Sequence, residues 1–265
     1  MSAEAVAPIA DAVAPAQAHP GAVRARRLTL RHLSTPAALA AVLAVLYLWV
    51  SNQNLDSIER RTLNRAYILA RIEEHVRLSL TAAALVVVIA VPAGVLLTRP
   101  LLRRATPVVL GAANAGQSVP GLGLLVLLTI ALDIGFRTAV IGLVAATVLP
   151  VLRNTIIGIE QVDRSLVETA RGMGMRPGQV LWLVELKLAV PVILAGLRTA
   201  LVFAVGTATI ATFVNAGGLG DMIVNGIKLQ RIPVLVTGSV LACSVAFLLD
   251  WLGKVAEDLL KPKGL

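Results

Sequence analysis

The sequence predicts an all-α membrane protein, a polytopic transmembrane helical bundle of about six spans, and three observations carry that prediction. Apolar residues make up 57% of the 265-residue chain, against roughly 45–50% in an average soluble domain. Only 15% of residues are charged, too few to cover a water-facing surface when soluble domains carry about 25%. The apolar residues also gather into runs near the roughly 20 residues that cross a hydrocarbon core, and the mean hydropathy is +0.83. Length alone suggests one or two domains, and a single helical membrane domain uses it up.

The elements follow in chain order. Residues 1–30 read as a disordered cytoplasmic tail, Ala- and Pro-rich with no apolar periodicity over residues 1–23. Residues 31–265 read as the membrane domain. Candidate spans are 33–50, 78–98, 106–132, 138–152, 189–213 and 233–252, the first and fourth being short. The third holds Gly111, Asn114, Gln117, Ser118, Pro120, Gly121 and Gly123. So many breakers and polar groups predict a kinked or interrupted helix that faces protein or water. Between the first two spans, 54–72 reads as an amphipathic outer helix with Leu55, Ile58, Tyr67 and Leu69 against the membrane domain or the interface.

Charge sets the orientation. With the N-terminus inside, 15 basic residues fall on the tail, the 99–105 loop, the 153–188 loop and the C-terminus, against eight on the outer segments. That excess is the positive-inside pattern of a cytoplasmic (inner) membrane protein. The same distribution argues against nucleic acid, despite a net charge of +9. The basic residues sit between apolar runs, and aromatics at 3% offer few stacking platforms for bases. A lone cysteine, Cys243, excludes an intramolecular disulfide and a cysteine metal cluster. The three histidines His19, His32 and His75 have no metal-binding spacing, so no metal site is expected.

The 153–188 loop is the most informative segment. Ile159, Val162, Leu166 and Ala170 recur at helical spacing, with Glu160, Asp163, Arg164 and Glu168 on the other face. Gly172 and Gly174 then break the helix and permit a tight turn. Pro177 suits the first turn of a second helix that runs on through Val180, Leu181, Val184 and Leu188. The pattern is a helix–turn–helix outside the bilayer with one exposed knuckle.

The run Glu168-Thr169-Ala170-Arg171-Gly172-Met173-Gly174, followed by Val184-Glu185-Leu186, resembles the EAA loop of ABC-type importer permeases. The likeness continues from Val190-Pro191 to Thr199-Ala200, through Gly206-Thr207-Ala208-Thr209 and into Gly217-Gly218-Leu219-Gly220. Over about residues 75–253 it is most similar to permeases of glycine betaine/carnitine/choline importers. The resemblance implies a type I importer permease fold and a coupling loop that docks in a groove on a separate ATPase. Glu168, Ala170, Gly172, Gly174, Leu186 and Pro191 would carry that loop. It departs from the family at Lys187, where proline is usual, and at Asn215, where glycine is usual. Asn tolerates the left-handed conformation better than most residues, so the turn at 215 can persist.

The rest of the reading is a division of labour. The chain has no G-x-x-x-x-G-K-[ST] phosphate loop. It is therefore expected to be no enzyme, to have no catalytic residue and to bind no cofactor, with ATP and Mg held by the partner ATPase. Quaternary amines are held by aromatic cages, and few aromatics are spread along this chain, so capture falls to an extracellular or periplasmic binding protein. Six spans enclose half a pathway, which calls for a second permease chain, identical or related, in the membrane lipid. Polar residues in the spans are the pathway candidates: Asn114, Gln117 and Ser118, then Arg198, Thr207 and Thr209, with Asn215 near the outer mouth. For the threonines helix packing competes with that role; for Arg198, snorkelling competes with gating or pairing. Asp133 and Arg137 are spaced to pair with each other, and Asp250 reads as an interfacial charge. Two alternatives stay open: a methionine-type amino-acid importer permease, and a stand-alone secondary transporter, which would predict internal repeats.

Overall fold

The structure, a computed structural model, describes residues 25–260. The tail assigned to 1–30 lies outside the described residues up to position 24. Among the described residues all regular structure is helical. Helix α1 (Ala25–Ser51) is followed by a short α2 (Ser57–Thr62) and a long α3 (Arg65–Leu97). Then come α4 (Thr106–Ser118), α5 (Gly121–Ala131) and α6 (Phe136–Glu160). The loop helices are α7 (Arg164–Gly172) and α8 (Pro177–Val180); a π-helical turn, Leu181–Glu185, leads on into α9 (Leu186–Ala208). Helices α10 (Leu219–Lys228) and α11 (Ile232–Leu260) complete the chain.

Five helices are long and apolar enough to cross a membrane, and α4 with α5 makes a sixth span bent by 97°. The break has a local cause. Pro120 has no N–H to give and forces Val119 into an extended conformation, φ −72° and ψ 128°. The 13-residue α4 is about 20 Å long, short of the roughly 30 Å hydrocarbon core.

Helices α3, α6 and α9 form the centre, with α6 and α9 the tightest pair. Small residues let them close in: a methyl on Gly196 would lie 2.7 Å from Asn154 Cβ and 2.9 Å from the Pro150 carbonyl. Close approach of backbones is how membrane helices gain packing when water exclusion no longer drives it. One cluster, including Leu78, Leu125, Leu143 and Val214, joins α3, α5, α6 and the 3₁₀ turn Ile210–Val214. A second, including Val86, Val151, Leu152 and Ala200, fills the other end of the α3–α6–α9 core. A third, including Val205, Met222, Val234 and Val245, packs α10 and α11 onto α9. Helix α1 lies outside this core against α11, its apolar window entirely unburied, as a lipid-facing span would be.

Several boundaries differ from the sequence reading. The outer helix expected at 54–72 is two pieces: α2, closed by an Asp56–Glu59 capping box, and the first turns of α3. Asn64 starts α3 afresh by accepting from the Tyr67 N–H at 2.9 Å. The fourth span runs to Glu160 and not to 152, because Arg153 and Asn154 end the apolar run without ending the helix. Asp133 and Arg137 are both exposed and form no ion pair; the Asp133 carbonyl accepts from the Thr138 hydroxyl at 2.5 Å instead.

Candidate functional site

The 153–188 loop folds as a helix–turn–helix. Asp163 caps α7 by accepting from the Ser165 N–H at 2.8 Å. Donation from that N–H and from the Ser165 hydroxyl holds the Asp163 carboxyl below the usual carboxylate range. At the other end the Met175 N–H reaches the Ala170 carbonyl at 3.2 Å, and the Gly174 N–H reaches Arg171 at 2.9 Å. These two bonds define a Schellman stop, which needs a left-handed residue in the turn. Gly174 supplies it at φ +83°. Pro177 then opens α8, and the Arg176 N–H donates to Gln179 Oε1 at 2.9 Å.

The loop buries one side and exposes the other. Ala170 and Val180 are buried, while Glu168, Gly172 and Gly174 are exposed with nothing within 4 Å of a methyl placed on either glycine. Leu166, expected on the buried stripe with Ile159, is 47% exposed. A non-helical turn at Gln161–Asp163 ends α6 before α7 starts, so the phase set by Ile159 is not carried forward. Met173 and Trp182 are exposed too, at 68% and 70%. Sequence reasoning missed Trp182, because the run Val180–Val184 is apolar throughout and shows no facing. Leu186 begins α9 and Pro191 lies inside it, so both belong to the membrane helix that continues the loop.

The base of the loop is ionic. Glu185, almost fully buried, pairs with Arg99 from the α3–α4 connection, and Arg103 approaches Glu160 at 3.9 Å. These contacts border a cavity of about 530 Å³ that Glu168 and Arg171 also line.

Farther along α9 lies an open groove. A cavity of about 550 Å³ is lined by Arg198, Thr199, Phe203, Thr207 and Asp250. It meets a second of about 370 Å³, lined by Gln117 as well as Phe203, Gly206 and Thr207. Three expected pathway residues, Gln117, Arg198 and Thr207, thus share one groove. Gln117 donates to the Ala146 carbonyl at 2.9 Å, which ties α4 to α6 beside the helix break. Asn114 is exposed on α4 and accepts from the Ser118 hydroxyl through its carbonyl at 3.0 Å. The Thr209 hydroxyl, at the C-cap of α9, bonds back to the Gly206 carbonyl at 2.7 Å. Asn215 ends the 3₁₀ turn in the left-handed conformation, φ 55°. Asn114, Ser118, Thr209 and Asn215 line neither cavity.

Arg198 is paired. Its guanidinium donates to Asp250 Oδ1 at 2.8 and 3.1 Å and to Glu257 Oε2 at 3.0 Å, both on α11. Asp250 is therefore a partner of Arg198 and not a free interfacial charge. A signal existed: a charge within a span needs a partner, and Asp250 and Glu257, seven apart, share a helix face. At the opposite end of the bundle Arg71 pairs with Glu74 at 2.9 Å and Asp221 at 2.6 Å. Glu74 also accepts from the Gly218 N–H at 2.9 Å, so α10 is moored to α3. Among the described residues no three His, Cys, Asp or Glu side chains gather as a metal site would require.

A bundle of apolar helices, one of them broken beside an open groove, with a capped helical loop outside it, defines a multi-pass membrane permease. Residues 90–262 match the family of binding-protein-dependent transport system inner membrane components, and the chain belongs to that family. It is a permease component of an ABC importer for small polar solutes, placed in the inner membrane. Over 202 residues it is 39% identical to the choline transport system permease protein OpuBB of Bacillus subtilis, covering 76% of this chain and 92% of that one. It is 38% identical, with the same coverage, to the glycine betaine/carnitine/choline permease OpuCB of the same organism. In fold it is similar to a chain of the MetNI methionine ABC transporter in an inward-facing conformation. That likeness has a TM-score of 0.66 at 23% identity and covers 78% of this chain and all of that one.

Proposed function

We propose that this chain translocates osmoprotectants of the glycine betaine, carnitine and choline type, and that it does so as a passive half-pathway worked by other subunits. The single observation that carries the substrate class is the 39% identity to a choline permease across three quarters of the chain. The fold likeness to a methionine transporter, at 23% identity, supports the architecture and not the solute.

In this reading the exposed knuckle Glu168–Gly174 docks on an ATPase subunit that binds ATP and Mg, and this chain performs no catalysis. A rigid helix seated on a moving partner passes a rigid-body displacement to the helices behind it. Here α8 and the π turn run straight into α9, whose groove holds Arg198, Phe203 and Thr207. Alternate opening of that groove, completed by a second permease chain, would carry solute delivered by an extracellular binding protein. With α7 and the 99–105 loop at the cytoplasmic end, the Arg71–Asp221 cluster lies at the outer end. Pathway sites must release what they accept, which suits a groove with one exposed aromatic, Phe203, rather than a cage.

The test is uptake in vesicles that carry the chain with a co-expressed ATPase subunit and binding protein of its family. Radiolabelled glycine betaine, choline or carnitine should accumulate only with internal ATP, and methionine should not. Methionine uptake without any onium uptake would replace the substrate class. ATP-independent uptake by the chain alone would overturn the subunit reading.

A further inference from the structure

We infer that the Arg99–Glu185 ion pair is the positioning link through which the broken membrane helix α4–α5 follows the 153–188 loop; the inference rests on that loop's assignment as the coupling element. The pair joins residues 86 apart in sequence. Glu185 is the last residue of the π turn that connects α8 to α9, and it is only 7% exposed. A π turn carries one extra residue, which turns everything beyond it by about 100° relative to an uninterrupted α-helix. The facing of the Glu185 carboxylate toward Arg99 is therefore set by the π turn, not by the α-helical phase of α8.

Arg99 in turn sits at the root of α4. Its Nε donates to the Val95 carbonyl at 3.3 Å, fixing the side chain against the end of α3. Three residues past the pair's neighbour Arg103, the Thr106 hydroxyl donates to the Leu97 carbonyl at 3.0 Å, tying the first residue of α4 to the same place. Helix α4 itself has no buried residue, so packing does not fix its position strongly. Besides half-buried Leu110 against the α3–α6–α9 core, polar contacts hold it at its two ends: the Arg99 root and the Gln117–Ala146 bond beside the groove. Helices α6 and α9, by contrast, are locked together by backbone-close contacts at Gly158 and Gly196. A displacement of the loop thus has a stiff route into α6–α9 and one charged route into α4. A buried carboxylate left without its partner is costly, so Arg99 must travel with Glu185 when the loop moves.

The test reads motion directly, without requiring a known solute. In a Cys243→Ser background, Leu101→Cys places a fluorophore on the 98–105 connection, where Leu101 is 89% exposed. In nanodiscs with the partner ATPase, ATP plus vanadate should change the emission of this label. Glu185→Gln and Arg99→Gln should each reduce that change about tenfold, within the usual range of coupling effects. ATPase-subunit association and basal hydrolysis should persist. The swapped pair Arg99→Glu/Glu185→Arg should recover most of the signal, which independent effects of the two single substitutions would not permit. Arg99→Lys, which keeps the charge, serves if Glu185→Gln does not accumulate, and should retain a measurable response. An undiminished label response in both single variants would overturn the link, as would a swap no better than Glu185→Arg alone. Loss of ATPase association in Gly174→Val alongside silent Glu185→Gln would sink the link and leave the loop's role standing. Silence in both would remove the loop's role itself.

Discussion

Two exposed glycines on the loop offer a way to separate backbone strain from surface docking. A methyl added at Gly172 or at Gly174 meets nothing within 4 Å, so neither substitution creates a clash inside the chain. The backbones differ. Gly174 sits at φ +83°, where an L-residue costs roughly 1–2 kcal/mol. Gly172 lies within α7 at helical dihedrals, where alanine is favoured over glycine by about 1 kcal/mol. Gly174→Ala should therefore depopulate the docking turn by about 5–30-fold and weaken ATPase binding by the same factor. Gly174→Asn should be milder, since Asn accepts the left-handed region, and Gly174→Val harsher. Gly172→Ala should firm the free helix, so any loss of binding there must come from a partner surface packed against it. The assay is the Kd of the ATPase subunit for permease held in nanodiscs. Identical affinities for wild type, Gly174→Ala and Gly174→Asn would refute the reasoning, because the turn would then be irrelevant to docking.

Three further outcomes follow from the same geometry. Arg198→Ala leaves Asp250 and Glu257 facing each other around a missing cation. It should cost about 1–3 kcal/mol, between exposed and buried pairs, with the melting temperature in detergent partly restored by adding Asp250→Asn. Asp163 caps α7 with a carboxyl held below its usual range by donation from Ser165. Its stabilisation is complete above the ordinary carboxylate range and fades as pH falls through the lowered value. ATPase docking should thus be indifferent to this group between about pH 6 and 8 and weaken only below about pH 4. Asp163→Ala should weaken it at every pH. Finally, on a Cys243→Ser background, Arg176→Cys should label only from the cytoplasm and Ser57→Cys only from outside; labelling of both from one side would break the assigned topology.

The number of spans was legible because hydropathy reports which solvent surrounds a segment. Helix ends were not, because hydropathy is blind to hydrogen bonding. Helix α3 starts at Arg65, well before its apolar stretch, and carries Arg71, Glu73, Glu74 and Arg77 past the lipid. Arg71 and Glu74 are held there because α10 and its N-cap supply Asp221 and the Gly218 N–H. No window over 65–77 contains that information. The same blindness made the fourth span end at 152, where Arg153 and Asn154 enter water or protein while the backbone continues to Glu160. Features whose cause is local were legible: the break at Pro120, the left-handed turn at Gly174, the restart at Pro177 and the left-handed Asn215.

The charged contacts at the loop base and in the groove were beyond reach for a related reason, and that reason bears on how the groove works. A broken span leaves backbone groups near Ser118–Gly121 without helical partners at mid-depth, and hydrocarbon cannot satisfy them. Such a break persists only beside protein or water, so it must line a cavity, and here it meets the groove through Gln117 and Gly121. Two short helices gain that placement but lose the stiffness of one continuous rod. Helix α5 is held by Leu125 in the core, whereas α4, which buries no residue, must be placed by contacts that join segments distant in sequence. Arg99 with Glu185 does this at one end and Gln117 with Ala146 at the other. A sequence shows that α4–α5 is broken; only the fold shows what it is tied to. An uninterrupted helix over 106–132 would dispense with both ties and, by the same argument, with the groove wall they hold in place. Restoring continuity with Pro120→Ala should therefore stiffen the span while lowering transport.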